Sequence, residues 1–124
     1  MKILIVDDSH AANILLMRKF EKEGYEVVTA LTGEEGVSQA GLERPDVVVM
    51  DTVLPGINGF EACRRIKEAR GREAPWIVIV TGFVDALDPE KAAEAGADGY
   101  CAKTMGLDPL VETVGKVVGS AKAG

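Results

Sequence analysis

Histidine and cysteine are nearly missing: His10 is the only histidine among 124 residues, and Cys63 and Cys101 are the only cysteines. Neither cysteine has a Cys or His at metal-ligand spacing, so zinc and redox chemistry are disfavoured and a metal site must use oxygen ligands. Both cysteines read as small buried apolar side chains, and no disulfide is expected in a reducing compartment. Positive charge is also in deficit. There are 14 Lys+Arg against 20 Asp+Glu, a net charge of −6, which argues against non-specific binding to DNA, RNA or an anionic membrane surface. Long apolar runs are lacking too. Ile77-Val78-Ile79-Val80 is typical of the longest, and nothing spans a bilayer. The opening Met1–Val6 meets the acidic pair Asp7-Asp8 at once, too soon for a signal peptide. The expectation is a soluble, cytoplasmic chain that neither inserts into membranes nor binds nucleic acid directly.

What remains is the composition of one globular domain, 1–124, with 47% apolar and 27% charged residues and no linker, repeat or low-complexity stretch. Five short runs rich in β-branched residues read as strands: 2–6, 25–30, 46–50, 76–80 and 99–102. Three of them are apolar on both faces, as suits parallel strands covered by helices on both sides. Helix start signals lie between them. Ser9 can cap a helix through about Glu23 that Gly24 ends. Thr32-Gly33-Glu34-Glu35 and Asn58-Gly59-Phe60-Glu61 have capping-box spacing. Asp88-Pro89 and Asp108-Pro109 each place a capping Asp before a Pro at the first helical position. Leu110, Val114, Val117 and Val118 form the buried stripe of the last helix. The alternation βαβαβαβαβα specifies a doubly wound α/β sandwich with right-handed crossovers.

Ligands bind such sheets beyond the carboxyl ends of the strands. There the sequence places Asp7-Asp8 after the first strand, Asp51 after the third, Thr81-Gly82 after the fourth and Lys103 after the fifth. Alternation alone leaves the strand order open. If the first and third strands are neighbours, three carboxylates converge, and like charges that close repel unless a cation sits among them. Mg²⁺ suits the set, because it takes one or two carboxylates plus waters and a phosphate. The Thr81 hydroxyl and the Lys103 ammonium are donors for an anion, so the set reads as a phosphoryl-transfer site with Asp51 as nucleophile.

These residues carry a resemblance to the CheY-like response-regulator receiver domain. It runs through Asp7-Asp8, Val49-Met50-Asp51, Leu54-Pro55-Gly56 into Asn58-Gly59, Thr81, and Glu94 through Tyr100 to Lys103. The separations are 43 residues from 8 to 51, 30 from 51 to 81 and 22 from 81 to 103. The resemblance implies a flavodoxin-like (βα)5 fold with sheet order 2-1-3-4-5. It also implies a phosphoacceptor, not a conventional enzyme, that promotes its own phosphorylation and dephosphorylation. Asp51 would accept the phosphoryl group from a histidine kinase or histidine phosphotransfer protein. Asp8, Asp51 and the Val53 backbone carbonyl would ligate Mg²⁺ directly, and Asp7 through water. Thr81 and Lys103 would hold phosphoryl oxygens, and Gly82 would leave the group accessible. Thr81 and Tyr100 would form the switch that changes the surface of helix 4, strand 5 and helix 5 toward a downstream protein. The chain is expected to act as a stand-alone receiver, monomeric or weakly dimeric.

One departure stands out: Thr104 follows Lys103 where the family usually has proline, so a trans bond is expected there, with Lys103 still serving the site. Two other classes compete with this reading. A pseudo-receiver, a binding module without phosphorylation, would be indicated by a missing acceptor or lysine, and neither is missing. A flavodoxin-like cofactor binder needs a phosphate loop after the first strand, where Asp7-Asp8-Ser9 would repel a phosphate without metal.

Overall fold

In a computed structural model, which describes residues 1–81, 89–102 and 107–123, the apolar runs assemble into one parallel sheet. Its strands are β1 (Lys2–Val6), β2 (Glu26–Ala30), β3 (Val47–Asp51), β4 (Trp76–Thr81) and β5 (Gly99–Ala102). They lie in the order β2-β1-β3-β4-β5, the order that the resemblance implies. The helices are α1 (His10–Lys22), α2 (Gly33–Glu43), α3 (Gly59–Arg70), α4 (Pro89–Glu94) and α5 (Leu107–Ala123). No described helix is long and apolar enough to cross a membrane.

Strand side chains alternate between two faces, and the core divides accordingly. Leu4, Val6, Val48, Met50, Ile77 and Ile79 pack with Ala40, Ala62, Cys63, Ile66, Ala92 and Ala95 of the α2, α3 and α4 side. Ile3, Ile5, Val47, Val49, Val78 and Val80 pack with Leu16, Phe20, Leu110, Val114 and Val118 of the α1 and α5 side. Each fully buried Val, Ile, Leu or Phe contributes about 1.5–3 kcal/mol, so sequestering both sheet faces is the main favourable term.

The three side-chain caps form as the sequence predicts. Ser9 Oγ accepts the Ala12 N–H at 3.2 Å, Thr32 Oγ1 the Glu35 N–H at 3.0 Å and Asn58 Oδ1 the Glu61 N–H at 2.9 Å. Gly24, at φ +94°, turns the chain after α1 through a left-handed conformation that side chains disfavour.

Some boundaries differ from expectation. Tyr25 stays outside β2 because its N–H closes α1 onto the Phe20 carbonyl at 3.0 Å, and its ring meets Phe20 edge-on at 5.4 Å. Asp51 and Thr81 belong to their strands and do not merely follow them, since Asp51 pairs with Val80 and Thr81 with Ala102. Helix α5 begins at Leu107, ahead of the expected Asp108 cap, and Asp108 instead pairs with Lys19 of α1 at 2.7 Å. Asp88, the expected cap of α4, lies outside the described residues, although α4 does begin at Pro89.

Candidate functional site

Adjacent central strands bring the carboxylates together. β1 pairs with β3 in register from Ile3↔Val47 to Val6↔Met50, so the residues ending both strands emerge at one edge of the sheet. Asp7, Asp8 and Asp51 each offer a carboxylate oxygen, and these oxygens all lie within 4.8 Å of one another. Asp7 and Asp51 are buried, and Asp8 is exposed. The trio therefore has a protein side and a side open to an incoming group.

Local bonds fix the two buried members. The Asp7 N–H donates to the Ala30 carbonyl at 3.1 Å, and Asp7 Oδ1 accepts the Ser9 N–H at 2.9 Å. Asp7 thus also shapes the entry to α1, the structural role that a carboxylate beside a helix start commonly plays. Buried Asn13 donates from Nδ2 to the carbonyls of Asp7 and Ala30, at 3.0 and 3.3 Å, tying α1 to the ends of β1 and β2. Sequence reading missed Asn13, and a polar residue on an otherwise buried helix stripe was the signal available. Asp51 Oδ1 accepts the Val53 N–H at 3.4 Å, and the Thr52 N–H donates to the Val80 carbonyl at 3.1 Å. Val53 itself is exposed.

Across β3, Thr81 ends β4 and is 1% exposed. Tyr100 lies on β5 and is 43% exposed, beside a concavity of about 170 Å³ that Ala92, Ala93 and Ala97 help to line. Lys103, Thr104 and Gly82 lie outside the described residues. Asp7 and Asp51 also border an apolar cavity of about 190 Å³ that Ile5, Leu16 and Val49 help to line. An apolar flank lowers the local dielectric and strengthens charge interactions at the trio. The donor set, hard oxygens only and close enough to share one ion, fits a divalent cation of the Mg²⁺ kind.

The cysteines behave as read. Both are buried and free, and burial pushes the Cys63 thiol up to about 12, with Lys67 opposing less strongly.

A five-stranded doubly wound sheet with acidic residues at the carboxyl ends of its central strands defines the class, and comparison with known proteins agrees. The model of the response regulator receiver domain matches residues 3–115, and the chain belongs to that family, the phosphoacceptors of two-component signalling. It is 38% identical over 117 residues to Protein PilH of Pseudomonas aeruginosa, covering 94% of this chain and 97% of that protein. It is 35% identical to Sporulation initiation phosphotransferase F of Bacillus subtilis, covering 93% and 91%. Against several longer transcriptional regulatory proteins it spans only about half of their length, from 42% to 53%. Among solved structures, a CheY-like receiver domain protein from Methanospirillum hungatei superposes with a TM-score of 0.85 at 31% identity, covering 99% and 98%. TrrA from Thermotoga maritima, in complex with Mg²⁺ and beryllium fluoride, gives 0.83 at 32% identity, covering 94% and 97%.

Proposed function

We propose that residues 1–124 form one receiver unit that takes a phosphoryl group on Asp51 from a histidine kinase or histidine phosphotransfer protein and relays its state to a downstream protein. The observation that carries this reading is the convergence of Asp7, Asp8 and Asp51 within 4.8 Å, with Asp51 at the end of the central strand. Asp8, Asp51 and the Val53 carbonyl would hold Mg²⁺ directly, and Asp7 through water. When bound, Mg²⁺ would supply neutralisation of the charge on the phosphoryl oxygens. The Mg²⁺ and beryllium fluoride complex of TrrA supports a site of this kind.

The chain's own residues carry the remaining steps. An Asp51 carboxylate oxygen attacks phosphorus, the donor's P–N bond breaks, and the imidazole leaves with the bonding pair. Thr81 and Lys103 hold the transferred oxygens. Water later cleaves the acyl phosphate, returning carboxylate and inorganic phosphate, and Gly82 leaves room for that attack. Phosphorylation draws Thr81 toward the site, and the Tyr100 ring moves into the space released, altering the surface of α4, β5 and α5. The exposure of Tyr100 beside a concavity supports such a movement. A cytoplasmic setting and a monomer or weak dimer are part of this proposal. Incubation with acetyl phosphate and Mg²⁺ tests the reading. One phosphoryl group per chain is expected, with none in the presence of a chelator; equal labelling with and without chelator would contradict it.

A further inference from the structure

Glu34, in the first turn of α2, has no part in capping its own helix. Thr32 caps α2 through the Glu35 N–H at 3.0 Å, and the Glu35 carboxylate reaches back to the Leu31 N–H at 3.5 Å. Glu34 turns instead to the segment between β3 and α3, where its Oε1 accepts the backbone N–H of Ile57 at 2.6 Å. The chain on both sides is shaped around that contact. Gly56 sits at φ +76°, and a Cβ there would collide with both Glu34 carboxylate oxygens. A Cβ on Gly33 would meet the Ile57 carbonyl oxygen and Cγ1 at 2.6 Å. A carboxylate accepting a backbone N–H is a strong, directional bond, and its place in the first turn of a helix favours the charge.

The other end of the same segment belongs to the carboxylate site. Asp51 Oδ1 accepts the Val53 N–H at 3.4 Å, and the Gly59 N–H donates to the Thr52 carbonyl at 3.0 Å. Between these ties, Leu54 and Ile57 pack against the core on the α2 and α3 side. Residues 53–57 are therefore a short span pinned by Asp51 at one end and by Glu34 at the other.

We propose that Glu34 is a positioning residue of the phosphoryl-transfer site. Through Ile57 it fixes the backbone from Val53 onward and so sets how the Val53 carbonyl meets the cation. This rests on the Mg²⁺ reading given above. Glu34 is not one of the proposed ligands, and it acts through the span that joins Ile57 to Asp51.

Isothermal titration with Mg²⁺, paired with thermal melting in chelator, tests the assignment. Glu34→Ala is expected to weaken Mg²⁺ binding about three- to tenfold, a part of what one charge-assisted hydrogen bond is worth, because the lost bond acts on the cation only through the 53–57 span. Glu34→Gln keeps an acceptor oxygen and should recover part of the loss. Gly56→Ala displaces the same carboxylate and should weaken binding too, and adding Glu34→Ala to it should cost less than Glu34→Ala alone. A dissociation constant unmoved by Glu34→Ala, with or without a lower melting midpoint in chelator, would overturn the proposal while leaving the Mg²⁺ reading intact. Failure of the unaltered protein to bind Mg²⁺ would overturn both.

Discussion

Asp7, Asp8 and Asp51 put three carboxylate oxygens into a space less than 5 Å across, the closest gathering of negative charge among the described residues. Their mutual repulsion opposes folding, and an ion that binds only the folded trio stabilises it by mass action. A hundredfold excess of Mg²⁺ over its dissociation constant is expected to contribute about 2.7 kcal/mol, read as a higher melting midpoint than in chelator. Asp8→Asn removes one ligand from the exposed side and should erase most of that difference. Cys63 makes a contrasting prediction. Its thiol is raised to about 12 by burial and lies against the Ala95 carbonyl at 3.3 Å. Modification by a thiol reagent at neutral pH should therefore be much slower in the folded protein than in urea. The unfolded chain releases this proton near pH 9 and the folded one near 12. Its contribution to stability is fully present below pH 9 and is lost as pH rises toward 12, by up to about 1 kcal/mol per pH unit. Denaturant titrations at several alkaline pH values check the sign, and Cys63→Ser should flatten that slope.

Helices and strands show why some features could be read from sequence and others could not. Ser9, Thr32 and Asn58 each act on the backbone N–H three residues on, so their caps follow from local spacing. The strand cores follow from β-branched runs. Strand ends do not, because Tyr25 is held at the end of α1 by the Phe20 carbonyl and Asp51 is drawn into β3 by its partner Val80 on the neighbouring strand. Glu34 reads in the sequence only as a first-turn carboxylate beside the capping-box Glu35, because its partner Ile57 lies 23 residues away. The first residue of α3 makes a prediction at this scale. A Cβ on Gly59 would strike the backbone carbonyl oxygen of Asp51 and approach the Thr52 Cα at 2.9 Å. Gly59→Ala must push α3 away from β3, and it is expected to lower stability by about 1–3 kcal/mol in urea denaturation and to impair Mg²⁺ binding with it.

Across the whole molecule, the sheet order decides whether scattered residues become a site. Alternation of strands and helices leaves that order open, and β1 beside β3 is what joins Asp7 and Asp8 to Asp51. The same order sets β4 and β5 beyond β3, so Thr81 and Tyr100 lie on successive strands from Asp51 outward. Phosphorylation at Asp51 should thus be sensed on the far side of the sheet. Addition of beryllium fluoride with Mg²⁺ is expected to slow hydrogen exchange in β5 and reduce the accessibility of Tyr100, and unchanged exchange there would remove Tyr100 from the switch. The central claim, that Asp51 is the phosphoacceptor, is tested most directly by reacting the protein with acetyl phosphate and Mg²⁺, reducing the acyl phosphate with borohydride and mapping the product by peptide mass spectrometry. The account predicts conversion of Asp51 alone to homoserine and no conversion in Asp51→Asn; reduction at another carboxylate, or labelling undiminished in that variant, would contradict it.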